Sequence, residues 1–148
     1  MSSLTTDDRL EIQELTARHF YALDGLHRLL KGDPAIHWAD TFTVDGTFAL
    51  QNHLDEVLFS ATGRTALIEA QRGFPDVDST RHWIGDLLIE DHPEGARSGS
   101  YIIAMNISVN PAATIRTGIY DDLLIKVDGS WKFKSKILIL DEMSPSAE

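Results

Sequence analysis

Cysteine is absent from the 148 residues, which removes disulfides, thiolate metal sites and cysteine nucleophiles together. Positive charge is scarce. Lys and Arg number 13 against 23 Asp and Glu, and the resulting formal charge of -10 repels a phosphate backbone or an anionic membrane. The densest basic group is Lys132, Lys134 and Lys136, on one alternating face. Nucleic acid and membrane are therefore not expected as partners. Proline numbers only five, there is no repeat, and no apolar run reaches the ~20 residues needed to span a bilayer. The N-terminus, Met-Ser-Ser-Leu-Thr-Thr-Asp-Asp, lacks the basic and apolar segments of a secretory leader, so a cytoplasmic location is expected. A G-x-S-x-G elbow, a phosphate-binding glycine loop and a dinucleotide fingerprint are all missing. No two histidines have ligand spacing on one face and no carboxylate cluster completes a triad, so no metal is expected, and with the nucleotide fingerprints missing no other cofactor is expected either. Chemistry in this chain would have to run on side-chain acid and base alone.

What is present fits one domain, long enough to bury about two-thirds of its unfolded surface. Thr5-Thr6-Asp7-Asp8 reads as a helix start, with a hydroxyl at the N-cap and a carboxylate three residues on. The spacing predicts a helix from about 6 to about 30. Ile12, Leu15, His19, Ala22, Leu23 and Leu26 fall on one face of it, and Leu10, Ala17, Tyr21 and Asp24 on a second. A helix apolar on most sides is expected to be wrapped by the rest of the domain. Pro34 opens a short second helix carrying Trp38 and ending near Phe42, and Asp45-Gly46 reads as a turn into a strand through Phe48 and Leu50. A third helix is expected from Arg64 to about Arg72. The period then changes to alternation, with strands at about 81–90, 98–109, 113–127 and 130–140. Helices first and antiparallel strands afterwards is an α+β order, and a curved sheet on helices leaves an apolar pocket for a hydrophobic small molecule.

Two fragments carry the chemistry, Tyr21-Ala22-Leu23-Asp24-Gly25 and Arg81-His82-Trp83-Ile84-Gly85-Asp86. His82 heads a strand and is read either as a satisfied core histidine or as a general base. Asp24 stands where an acid meets the negative end of a helix dipole, an arrangement unfavourable by about 0.3–1 kcal/mol, which invites a reason for its presence. If Asp24 accepts from one imidazole nitrogen, it fixes the tautomer and raises the basicity of the other. Tyr21 could then supply a proton. Strand alternation separates His82, Ile84, Asp86 and Leu88, which could face inward, from Trp83, Gly85, Leu87 and Ile89 on the other face, and both sets are plausible cores. Trp38, Trp83 and Trp131 read as core or interface aromatics, Trp38 being also a candidate for the pocket wall, and Asp86, Asn106, Tyr120, Asp121 and Asp122 are polar strand residues that could face the cavity. His19 reads as a hydrogen-bonded core histidine, and His27, His37, His53 and His92 as solvated.

Taken in order, Phe20 to Gly25, Trp38 to Phe48, Arg81-His82-Trp83, Gly118 to Asp122 and Gly129 to Phe133 resemble the SnoaL-like branch of the NTF2-like superfamily over nearly the whole chain. The resemblance implies a cone of three helices against a strongly bent, mixed but mainly antiparallel sheet of five or six strands. It is nearest to the cofactor-free lyases of that superfamily: scytalone dehydratase, bile acid 7α-dehydratase and hexachlorocyclohexane dehydrochlorinase. In these an aspartate late in the first helix pairs with a histidine on the strand after the third, positions matched by Asp24 and His82. The implied activity is elimination or isomerisation on a hydrophobic small molecule, with His82 as base, Asp24 orienting it and Tyr21 as acid. Asp86 replaces an amide of the dehydrochlorinase. The same cone also hosts polyketide cyclases, dioxygenase small subunits and proteins that only bind, and its members commonly pair as homodimers or homotrimers.

Overall fold

A computed structural model describes residues 3–25, 28–75 and 77–144. Three helices precede most of the sheet: α1 (Thr6–Leu23), α2 (Pro34–Asp40) and α3 (Arg64–Gly73). The strands are β1 (Phe42–Gln51), β2 (Val57–Thr62), β3 (Thr80–His92), β4 (Gly95–Asn106), β5 (Ala113–Val127) and β6 (Ser130–Leu140). They form one sheet in the order β2-β1-β6-β5-β4-β3, with β1 and β6 parallel and every other pair antiparallel. This is the α+β cone the resemblance implied. The residue pattern does not predict β2, because it is an edge strand with only Ala61 buried and shows no clean alternation.

α1 starts as read. Thr5 and Asp8 form a reciprocal capping box, and Asp8 also accepts from the Trp131 indole at 3.0 Å and from Lys126 at 3.1 Å, tying the helix start to the β5–β6 hairpin. The helix ends sooner than expected, at Leu23 rather than near residue 30. Gly25 takes the left-handed conformation (φ 70°) that closes a helix, leaving Asp24 as the C-cap residue. Leu26 and His27, assigned from sequence to the helix and to solvent, lie outside the described residues. α1 is buried on one side only, through Ile12, Thr16, His19, Phe20, Ala22 and Leu23, while Leu10 and Tyr21 are exposed. It lies on the sheet and is not wrapped.

Two bulges decide which side chains reach the interior. In β3 the pairing with β4 slips between Gly85 and Leu88, where Asp86 has φ 53°. Alternation reverses there, so Ile89 is buried and Leu88 exposed, the opposite of the strict-period expectation. In β6, Phe133 pairs with Leu124 and Ser135 with Leu123, leaving Lys134 as an extra residue. That insertion turns Lys136 inward beside Leu138 and Leu140. The basic stripe read as one face is thus divided: Lys134 meets Glu94 at the surface, and Lys136 has no exposed surface at all.

Candidate active site

The dyad forms at the junction of α1 and β3. Because Gly25 ends the helix, the Asp24 side chain sits just past its last turn and reaches the first residues of β3. One carboxylate oxygen accepts the His82 backbone N–H at 3.0 Å, and the other meets His82 Nδ1 at 2.5 Å. The His82 N–H offsets the unfavourable end of the helix dipole, and the carboxylate fixes both the strand and the ring. A carboxylate only accepts, so in the neutral imidazole Nδ1 carries the proton and Nε2 keeps its lone pair. The side chains of His82 and Asp24 are 9% and 4% exposed. Phe20 packs on the imidazole with ring centres 5.8 Å apart.

His82 is a wall residue of two cavities. The inner one, of about 460 Å³, is lined by apolar side chains from β1, β2, α3 and β6, such as Phe48, Leu50, Phe59, Phe74 and Leu138, together with His82, Arg116 and Tyr120. The flanking one, of about 410 Å³, contains Tyr21, Asp24, His82, Trp83 and Leu87. A separate depression of about 580 Å³ around Gly25, Arg72 and Asp78 includes neither dyad residue.

The other expected site residues are distributed unevenly. Tyr120 lines the inner cavity and is 3% exposed. Burial pushes its phenol well above the ordinary range, with Asp122 adding to the effect, so it stays a neutral donor. Tyr21 is 47% exposed on the flanking cavity. Trp38, a candidate for the pocket wall, is wholly buried in the core, where its indole donates to His19 Nε2 at 3.1 Å. Asp86, expected beside it, is exposed at the β3 bulge and lines neither cavity. Asn106 stands at the far end of β4, where its side-chain oxygen accepts from the backbone and hydroxyl of Ser108. Leu87 turns to the flanking cavity instead of outward.

Sequence reasoning missed Arg116, the burial of Lys136 and its pairing with Asp122. Lys136 Nζ lies 2.7 Å from Asp122 and over the rings of Phe133, Tyr120 and Phe20, at 4.1, 4.5 and 5.3 Å. Burial raises Asp122 and lowers Lys136 from their ordinary values. The available signal was a lysine among Phe133, Ile137 and Leu138, readable only once the bulge at Lys134 is known. Among the described residues no cluster of three or more His, Asp or Glu could hold a metal ion, and no helix is long and apolar enough to cross a membrane.

The SnoaL-like domain model matches residues 5–136. The chain belongs to the SnoaL-like domain family. No curated protein matches the chain significantly. Among solved structures, it is similar to a Nostoc punctiforme protein of unknown function with a cystatin-like fold, at 25% identity and TM-score 0.77, covering 97% of this chain and 98% of that one. A variant of Rv3472, a Mycobacterium tuberculosis protein of unknown function, is 28% identical with TM-score 0.77, over 93% of this chain and 73% of the other. A Catenulispora acidiphila protein in complex with S-DNPA shares the fold, at 23% identity and TM-score 0.72, over 92% and 95% of the two chains.

Proposed function

We propose that this SnoaL-like protein is a cofactor-independent lyase or isomerase acting on a hydrophobic small molecule. The observation that carries the reading is the carboxylate clamp on His82 at the wall of a largely apolar cavity. With Nδ1 held by Asp24, the free Nε2 can take a proton from carbon next to a carbonyl. The electron pair left behind moves toward the carbonyl oxygen. Tyr120 donates a hydrogen bond to that oxygen and, because burial disfavours its phenolate, keeps its own proton. The imidazolium then returns the proton either to another carbon of the same skeleton, an isomerisation, or to a departing hydroxyl, which leaves as water with a new double bond. Both routes restore neutral His82. Tyr120 takes the phenol role expected of Tyr21, since Tyr21 is half in water and Tyr120 is buried on the wall of the inner cavity. That the Catenulispora acidiphila protein sharing this fold is in complex with S-DNPA accords with a ligand-binding use of the cavity.

The test is a panel of ring-sized ketones and β-hydroxy ketones incubated with the protein in deuterated buffer and followed by NMR. Deuterium uptake next to the carbonyl, or formation of the enone, is expected with wild type. His82→Gln should abolish it, and Asp24→Asn should lower it by about 10²-fold or more. Equal rates in wild type and a folded His82→Gln would refute the assignment.

The outer face of β3, β4 and β5 exposes Trp83, Tyr101, Ile103 and Ile119 in adjacent registers. The proposal includes a homodimer or homotrimer that covers this face.

A further inference from the structure

His82, Ala104 and Arg116 occupy one row across the sheet: His82 pairs with Ala104 on β4, and Ala104 with Arg116 on β5. Two strand spacings separate the outer members, about 10 Å between backbones. The middle position has only a methyl side chain, so the row leaves space between the imidazole and the guanidinium. Arg116 is half-buried, lies on the same face of β5 as Gly118 and Tyr120, and lines the inner cavity with His82. Its Nε is buried without a hydrogen-bond partner, and Arg116 forms no ion pair with any described residue. Among the described residues the one carboxylate on the cavity wall is Glu69, which is exposed and makes no bond to it. Arg81, whose Nε is also buried and unpartnered, differs in having the Trp83 ring 6.0 Å from its guanidinium and in lining the flanking cavity.

A guanidinium presents several donors in a fixed fork that suits a carboxylate, and leaving one partly desolvated and unpaired is unfavourable. We propose that the inner cavity takes an apolar, ring-sized molecule bearing a carboxylate, with the carboxylate seated on Arg116 and the hydrocarbon body on the wall of Phe48, Phe59, Phe74 and Leu138. This rests on the reading of that cavity as the ligand site and names its ligand class. An acid anchored on Arg116 presents its carbon skeleton across Ala104 to His82, so the cation fixes which end of the molecule meets the base. The net charge of -10 does not oppose this at short range, since exposed charges beyond about 8 Å are screened at physiological salt.

The experiment titrates the full chain with 1-naphthoate and, separately, with 1-naphthalenemethanol, which has the same rings and no charge, reading amide shifts by NMR at pH 8. Wild type is expected to bind the naphthoate at least tenfold more tightly, with shifts around Thr80, His82, Arg116 and Tyr120. In Arg116→Met the naphthoate should fall to the affinity of the alcohol, while the alcohol changes by less than twofold. Arg116→Lys, which keeps the charge and loses the buried Nε, should lie between and serves if the Met variant misfolds. Equal affinities of the two probes for wild type, unchanged naphthoate binding in Arg116→Met, shifts confined to the outer sheet face, or no binding of either probe would each overturn the proposal. The titration reads binding without turnover. An inert result on the ketone panel therefore leaves it standing, and its failure leaves the assignment of His82 as base untouched.

Discussion

Replacing Lys136 by Met removes a charge from the interior while nearly conserving the stem that packs on three aromatic rings. In the native protein the ammonium and the Asp122 carboxylate are 2.7 Å apart, with side chains 0% and 1% exposed. Asp122 has one further partner, the Ser98 hydroxyl at 3.3 Å, and its second oxygen is buried without any. Lys136→Met therefore leaves a carboxylate in the core with one weak hydrogen bond, and breaking such a pair costs about 3–5 kcal/mol. Asp122→Leu strands the ammonium at a similar cost, less whatever Phe133, Tyr120 and Phe20 return through their ring faces. The double variant removes both charges and should lie within about 2 kcal/mol of wild type, since well-packed apolar replacements of buried pairs are often neutral. Urea unfolding followed by tryptophan fluorescence measures all four proteins, and a coupling of several kcal/mol is expected. Acid adds a second check. In Lys136→Met burial holds the Asp122 carboxyl above its unfolded value, so the proton it takes up stabilises the fold below the unfolded value and that gain is lost as pH rises. The deficit of this variant against wild type should shrink on acidification. Additive costs in the double variant, or single variants costing under about 1 kcal/mol, would refute the reasoning.

The remaining expectations concern His19, Asp8 and the outer sheet face. His19 accepts from the Trp38 indole at Nε2 and donates from Nδ1 to Thr41, whose hydroxyl is itself committed to the Trp38 carbonyl; the network requires neutral imidazole. Burial, with Lys136 and His82 adding, lowers its folded value, so the unfolded chain gains the proton first and stability should fall as pH drops below about 6.5, by about 1.4 kcal/mol per unit. In His19→Gln this component should disappear from a chemical-denaturation pH series; an unchanged slope would contradict it. Asp8, held below the usual carboxylate range first by the Thr5 backbone N–H and then by Trp131 and Lys126, contributes stability above about pH 4 that is lost on acidification. Asp8→Asn should therefore lower Tm at pH 7 and narrow its difference from wild type in acid, as differential scanning calorimetry would show. Ile103→Lys on the outer face should shift the mass from light scattering to that of a monomer, with the far-UV spectrum unchanged. A wild type that is itself a monomer would remove the oligomer proposal.

The dyad is legible in the sequence because its two halves carry strong local signals. Gly25 marks a helix end, and an acid beside it at the wrong end of the dipole needs a partner; His82 follows a helix–loop segment and begins an alternating strand. The helix end itself is misread because apolar spacing continues through Leu26, Leu29 and Leu30, although Leu29 is 83% exposed and Gly25 has already stopped the helix. Bulges are not legible, since a period of two cannot reveal an inserted residue. One insertion at Lys134 buries a lysine, and the irregularity at Asp86 removes a polar residue from the pocket wall. The size of Trp38 suits core or pocket wall alike, and its place in the core follows from the His19 and Thr41 hydrogen bonds. Arg116 draws no attention because an arginine in an alternating strand reads as solvated until its register with Ala104 and His82 is known.

The account depends above all on Asp24 presenting to the cavity an imidazole with bare Nε2. Nitrogen-15 chemical shifts of the His82 ring, recorded with the imidazole neutral in wild type and in Asp24→Asn, read this directly. The account predicts the Nδ1–H form alone in wild type and a shift toward the mixture of tautomers in Asp24→Asn. A wild-type ring carrying its proton on Nε2, or the same tautomer balance in both proteins, would contradict it.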